Sequence, residues 1–413
     1  MKNVPVFLLL SAALLLETQA GVAAALKVYP TANSIRNAIQ AAGAGDTLLL
    51  QPGTYREHDI VIPKRLVITG SGRAVIDGEH KGQVFIITAD AVTIQGLQVQ
   101  NTGISSVTDM AGIRIANAKY VAVRNNKLVN NTYGIYLQNA EGCTITGNII
   151  HSGVQNEVNG GNGIHAWKCG RLFIKNNVVS GQRDGIYFEF VTDSRIIANR
   201  SHDNDRYGLH FMFSHNNEYF GNTFMDNGAG VAVMFSKGVY MHDNEFRHNW
   251  GDASYGLLLK EIADSRIVHN RFTKNTVGIH MEGTTRVAVQ HNLFQDNGWA
   301  LRVMASCSGS NFVENNFIGN SFDVATNGTE MLNVFSNNYW DKYDGYDLDK
   351  NNIGDVPYYP VSVYAVITEK IPSAMILYRS FFTGIIEQVE KVMPSVIPDK
   401  LKDDRPAMKK LQL

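Results

Sequence analysis

Two short motifs recur along this chain at matching irregular intervals, and together they leave few folds open. The first is a glycine, an aliphatic residue, a variable residue and an apolar one. It begins at Gly112 (GIRI), Gly134, Gly163, Gly185, Gly208 (GLHF), Gly230, Gly256 and Gly278, and Ala300 (ALRV) continues it. Its steps are 22, 29, 22, 23, 22, 26, 22 and 22 residues. The second runs through Asn126, Asn148, Asn177, Asn199, Asn222, Asn244, Asn270, Asn292, Asn316 and Asn338, with steps of 22, 29, 22, 23, 22, 26, 22, 24 and 22. The long steps coincide, so both ladders register the same two insertions: about seven residues within 152–162 and about four near 249–253.

A period near 22 with apolar and polar residues alternating predicts an all-β fold, a right-handed parallel β-helix. Each coil holds two or three short strands, and coils stack about 4.8 Å apart. Helical repeats would place Asn and Gly where helices suffer most, and a propeller blade needs about forty residues. One residue after each glycine come Ile113, Ile135, Ile164, Ile186, Leu209, Val231, Leu257, Ile279 and Leu301, the first inward column. Three after come Ile115, Leu137, Ala166, Phe188, Phe211, Val233, Leu259, Met281 and Val303. Phe190, Phe213 and Phe235 make a third stack, and Phe224, Phe246, Phe272 and Phe294 a fourth. The ladder asparagines are expected to bond amide to amide between coils.

The ends of the chain read differently. Residues 1–25 carry Lys2, the apolar run VPVFLLLSAALLL and the small-residue stretch GVAAA, the pattern of a cleaved secretory signal; in a Gram-negative cell the product is periplasmic. SIRNAIQAA, from Ser34 to Ala42, reads as a short amphipathic helix with Ser34 as N-cap, covering the open end of the solenoid. The β-helix with its cap is assigned to 26–345, an irregular extension to 346–372, an apolar helix to 373–394 and a disordered polar tail to 395–413. The helix is apolar on most sides, so it must be buried against something: the solenoid end, or a docking partner such as a membrane protein. A net charge of −1 gives no electrostatic case for nucleic acid. Cys143, Cys169 and Cys307 form no CxxC motif, and buried free thiols are expected.

Positions two and four after each glycine should face outward. In coil order they are Arg114/Ala116, Tyr136/Gln138, His165/Trp167, Tyr187/Glu189, His210/Met212, Ala232/Met234, Leu258/Lys260, His280/Glu282 and Arg302/Met304. Aromatic, His and Met side chains in a row mark a binding face. His165 and His210 are two coils apart, about 10 Å, too far to share an ion. Met212 and Met234 are direct neighbours, with His210 beside them and Glu189 one coil away. Imidazole and thioether donors suit Cu(I), held transiently, and suit zinc or calcium poorly. No cofactor is needed for folding. Asp243, His269 and His291, one before the ladder asparagine in three successive coils, are a rival cluster or a polar stack at a bend. DKYDGYDLD, from Asp341 to Asp349, lacks EF-hand spacing and reads as turn chemistry.

GDTLLLQPGTYRE followed by RLVITGSGRAVIDGE, the N-x-F-x-x-N-x-x-G-I coils, and NNYWDKYDGYDLDKNNIGDVPYYPV together resemble the NosD family. These are periplasmic accessory proteins of nitrous oxide reductase maturation, within the wider group of CASH-domain, pectin-lyase-like β-helices. The resemblance covers essentially the whole mature chain. It implies a β-helix without enzymatic activity that works with an ABC transporter, an ATPase and a permease, in assembling the reductase's copper-sulfur site. It further implies that the C-terminal segment attaches to the permease at the inner membrane, and that the β-helix meets the reductase or a copper chaperone. It fixes no copper ligand. The alternatives are a uronate lyase or epimerase, which needs an acid–base pair and a cation for the carboxylate, and an adhesin-like carbohydrate binder with Trp167, Tyr136 and Tyr187 stacking on sugars.

Overall fold

The glycine and asparagine ladders are both required by how closely the coils stack. The computed structural model describes residues 23–105, 107–153, 160–328, 332–378, 380–392 and 401–413. All but the last three residues of the expected signal segment lie outside them. The chain is a parallel β-solenoid of about 13 turns, with parallel sheets of 14, 12 and 13 strands among the described residues. A Cβ added to Gly208 would sit 2.7 Å from the Gly230 carbonyl oxygen, so the motif needs glycine for close approach. Asn222 shows what the second ladder does. Its Oδ1 accepts from the backbone and side-chain nitrogens of Asn199, and its Nδ2 donates to the Ile196 carbonyl and to Asn244 Oδ1. Every polar atom of a buried amide is thereby used between coils.

The ladder passes through Asn315, not Asn316 as its spacing suggests. Asn292 donates to Asn315 Oδ1 and Asn315 to Asn338 Oδ1. Asn316 instead exchanges two hydrogen bonds with the backbone of Leu411. A second ladder, from Gln182 through Asn204, Asn227, Asn249, Asn275 and Asn297 to Asn320, braces another corner. The phenylalanine stack beside the first ladder runs on through Phe317 to Trp340, with ring centroids 4.9 and 4.0 Å apart at its end. Phe190, Phe213 and Phe235 do stack, at 5.3 and 5.0 Å, but outside the core. Their φ values of 54°, 49° and 50° place them at a left-handed corner where side chains turn to solvent. The three cysteines are buried and free.

At the N-terminal end, helix α1 (Ser34–Ala41) buries Ile35 and Ile39 over the first coils. Its N-cap is Asn33, not Ser34, and Asn33 makes no side-chain cap bond. Glu57 from the next coil caps instead, accepting from the amides of Ile35 and Arg36 at 2.9 and 3.3 Å. A carboxylate at a helix N-terminus satisfies free amides and complements the dipole.

At the other end the structure departs most from the sequence reading. The extension holds a helix, α2 (Val363–Lys370), capped by Ser362. The helix expected over 373–394 is divided into a 3₁₀ turn, Pro372–Leu377, and α3 (Phe381–Val392). The amide of Thr383 meets Ser380 Oγ at 3.5 Å, a start signal inside the apolar run. Residues 401–413 are not a free tail. Asp403 pairs in parallel with Phe335 and Ala407 with Tyr339, the same offset of 68 residues. The tail is thus a partial further coil, reached after a long insertion. Asp403 takes the ladder position: its Oδ2 accepts from Asn338 N, Asn338 Nδ2 and Trp340 Nε1.

Candidate functional site

The strands Asp184–Glu189, Tyr207–Met212 and Ala229–Met234 are neighbours in the 12-stranded sheet. Alternation sends Ile186, Phe188, Leu209, Phe211, Val231 and Val233 into the core, all fully buried. The intervening residues form two outer columns. Tyr187, His210 and Ala232 are in register in one; Glu189, Met212 and Met234 in the other. Three of the four residues expected from sequence therefore share a column on successive rungs, about 4.8 Å apart. Their side chains are only partly covered.

His210 lies in the neighbouring column and is not open to solvent, as simple alternation suggests. It is 4 % exposed. Its ring is held between Tyr187, edge-on at 4.9 Å, and Tyr207 at 4.8 Å. These belong to a run of ring contacts that continues through His165 to Tyr136 and Tyr133. Tyr187 joins the two columns. Its hydroxyl is 3.3 Å from Glu189 Oε2 and 3.8 Å from Met212 Sδ. Burial, reinforced by the Glu189 carboxylate, raises the Tyr187 hydroxyl far above an ordinary phenol, so it stays a donor at neutral pH.

Behind His210 is a pair that the sequence columns did not pick out. Asp184, fully buried, precedes the motif glycine Gly185. Its Oδ1 lies 3.2 Å from Arg206 Nε and its Oδ2 3.4 Å from His210 Nδ1. The Arg206 guanidinium also stacks 5.0 Å over Tyr207. The available signal was a charged residue just before a motif glycine, where other coils carry Ala, Tyr, Val or, at Asn162, a neutral amide. His210 Nε2 is buried with no hydrogen-bond partner among the described residues.

The donor chemistry fits a soft ion. Among the described residues no three His, Cys, Asp or Glu converge as a metal site. Two thioethers in register and a buried imidazole nitrogen without a partner are soft and borderline donors, of the kind that suit Cu(I); the Glu189 carboxylate beside them is a hard one. The rival cluster is explained by backbone. Asp243, His269 and His291 have φ of 54°, 55° and 53°, at a left-handed corner that favours Asp, Asn and His. The His269 and His291 rings stack in parallel at 5.1 Å, while Asp243 pairs with His242 and His291 with Glu314. In the DKYDGYDLD segment, Asp347 accepts from the amides of Asn351 and Asn352, as turn chemistry requires.

A second surface is set by the helical insertion. Tyr364 and Ala365 of α2 pack with Phe322 against the end of the solenoid, joined by Trp299, Met375, Tyr378 and Ile386. Arg302 reaches Glu369 at 2.5 Å. The opposite side exposes Ile376, Phe381, Phe382 and Ile385. No described helix is long and apolar enough to cross a membrane.

Comparison with known proteins adds three findings. A family model described as "Periplasmic copper-binding protein (NosD)" matches residues 45–160 and 152–358. A "Probable ABC transporter binding protein NosD" of Pseudomonas aeruginosa is 28% identical over 380 residues, covering 87% of each chain. A protein of the same description from Stutzerimonas stutzeri is 24% identical over 359 residues, covering 81% of each. Among solved structures, the mannuronan C-5 epimerase AlgE6 A-module of Azotobacter vinelandii superposes with a TM-score of 0.60 at 18% identity, over 74% of this chain and 96% of that one. That likeness is one of fold.

Proposed function

Since the chain belongs to the NosD family of periplasmic copper-binding proteins, we propose that it is a non-enzymatic scaffold for assembly of the copper-sulfur site of nitrous oxide reductase, acting with the permease and ATPase of an ABC transporter. The observation that carries the reading is the register of Met212 on Met234, with Glu189 below them and His210 alongside. Cu(I) is a passing cargo at these residues, received from or given to a chaperone or the reductase. The solenoid folds without it in this reading. The exposed apolar side of the 3₁₀ turn and α3 docks on the permease and holds the protein at the inner membrane.

Anaerobic competition against a Cu(I) chelator tests the site. Met212→Ala/Met234→Ala is expected to weaken binding roughly 100-fold, about 2.7 kcal/mol. Unchanged affinity would remove this site. A uronate lyase or epimerase is the second reading, favoured by Arg206, Asp184, His210 and Tyr187 lying together. Against it, Asp184 is fully buried and ion-paired to Arg206, out of reach of a substrate proton. Release of unsaturated uronate from polyuronate by the purified protein would overturn the scaffold reading.

A further inference from the structure

Three histidines occupy equivalent positions two residues after a motif glycine: His165, His210 and His280. The repeat makes their positions equivalent, and in sequence only the neighbouring Met212 and Met234 set His210 apart. Their Nδ1 atoms have different neighbours. His165 Nδ1 lies 2.9 Å from Asn162 Nδ2. An amide nitrogen donates, so this Nδ1 accepts and the proton sits on Nε2. His280 Nδ1 is buried with no partner among the described residues, and nothing there selects a tautomer. Among the described residues, His210 is the one of the three with a carboxylate oxygen within hydrogen-bond distance of Nδ1, Asp184 Oδ2 at 3.4 Å.

The contacts of that carboxylate decide the proton's position. Arg206 is engaged with Asp184 through Nε on Oδ1 at 3.2 Å and Nη2 on Oδ2 at 3.3 Å. Arg206 Nη2 also lies 3.4 Å from His210 Nδ1. Nε2 is buried without a partner among the described residues in either tautomer, so the choice is made at Nδ1. If Nδ1 accepted from Arg206, its lone pair would face the Asp184 oxygen at 3.4 Å, two acceptors in contact. If Nδ1–H donates to Asp184, the bond is charge-assisted and Nε2 presents a free lone pair. The second arrangement is the one in which carboxylates commonly orient metal-bound histidines.

We propose that Asp184, backed by Arg206, fixes His210 in its Nδ1–H tautomer and so makes His210 Nε2 the metal-binding nitrogen, singling out one of three histidines that the repeat makes equivalent. Asp184 is then a positioning residue that touches no metal. The proposal rests on the Cu(I) reading of the site above.

The test uses full-length metal-free protein labelled with [15N]histidine. Long-range proton–nitrogen spectra report the tautomer of each ring, and His210→Ala identifies the His210 signals. The expected result is Nδ1–H at His210 and Nε2–H at His165. His210 as Nε2–H would overturn the proposal without need of any further variant. In Asp184→Asn, an Nε2–H population is expected at His210, with Cu(I) affinity down roughly 10–100-fold. Wild-type Cu(I) affinity in that variant would also overturn it. Failure of the wider reading looks different. Unchanged affinity in Met212→Ala/Met234→Ala removes the thioether site while leaving the His210 result intact, whereas unchanged affinity in His210→Ala sinks the ligand assignment made here.

Discussion

The last rung of the solenoid is closed by a single carboxylate, and removing it should have a local effect of predictable size. Asp403 Oδ2 accepts from Asn338 N at 3.0 Å, Asn338 Nδ2 at 2.9 Å and Trp340 Nε1 at 3.1 Å, all in buried surroundings. Asp403→Ala leaves three buried donors without an acceptor. At about 1–3 kcal/mol each, keeping the tail docked would cost roughly 3–9 kcal/mol. Release of residues 401–413 lets water reach the same donors, so it is the cheaper response. The expected outcome is thus a native solenoid with a free tail. Hydrogen exchange followed by mass spectrometry should show peptides spanning 332–341 and 401–413 losing most of their protection, while coils before about residue 300 keep theirs. Asp403→Asn is the control. Asn338 Oδ1 already serves as the matching acceptor for Asn315 N and Nδ2. An amide oxygen should therefore hold the rung, at a cost of about 1 kcal/mol for the contact that Asp403 Oδ1 makes with Arg405 N. Equal protection in the alanine variant and wild type, or equal loss in both variants, would refute the reasoning.

Other expectations are briefer. Burial, with the Arg183 charge beside it, holds His165 down to about 3, and burial with Arg302 nearby holds His280 down to about 4, against 6.5 for an unperturbed histidine. Above about pH 6.5 both states are neutral and stability is unaffected. As pH falls from there, the unfolded chain takes up protons that the folded chain refuses, so stability falls until the folded values are reached. His165→Gln/His280→Gln should reduce the fall in unfolding free energy, from urea titrations, between pH 7 and 5 by an amount on the order of 2–4 kcal/mol; an unchanged slope would sink the assignment. Burial pushes the Cys143 and Cys169 thiols up to about 11 and about 12. Neither should react with a thiol reagent at pH 8 until the protein unfolds. Phe213→Asn exchanges a stacked ring for a residue at home with φ near 49°. Loss of stacking, about 0.5–1.5 kcal/mol per pair, is offset by relief of about 1–2 kcal/mol of left-handed backbone strain. The melting temperature should move by no more than about 3 °C; a larger fall would mean that the ridge is a structural clamp.

Much of this architecture was legible because a stacked repeat repeats its constraints. Each coil restates the same demand at the glycine, the asparagine and the inward columns, so nine coils vote on one answer. The failures fall where that repetition stops or where the period is blind. Asn315 and Asn316 are adjacent and identical, and only the hydrogen bonds tell which carries the ladder. Phe190, Phe213 and Phe235 satisfy the period, but a corner residue with positive φ turns outward whatever its hydrophobicity. His210 was placed on the correct face. Its burial could not be read from its own strand, because Tyr187 and Tyr207 cover it. Asp184 was missed because the position before the glycine is outside both outward columns. Glu57 as the α1 cap is a contact across 22 residues that no local capping rule contains.

The tail matters most for what the helices do. An offset of 68 residues between Tyr339 and Ala407 replaces the usual step of 22 or 23, so α2, the 3₁₀ turn and α3 are an insertion inside the terminal coil. They are not an appendage hanging from its end. One foot of the insertion is held where Val361 is buried in the core and α2 packs on Phe322. The other is held by Asp403. A load applied to the exposed face of α3 therefore reaches the solenoid at two points on one rung, whereas a simple tether would transmit only tension at one. If the helices dock on a transporter that moves, the terminal coil moves with it as a body, and cutting the second foot changes the coupling without touching the docking face. Asp403→Ala should then leave association with detergent-solubilised transporter intact while loosening the geometry of the complex. Phe381→Asp/Ile385→Asp should abolish association and leave the tail's exchange protection unchanged. Loss of binding in the first variant, or loss of tail protection in the second, would mean that the two surfaces are one and the insertion has no separate mechanical role.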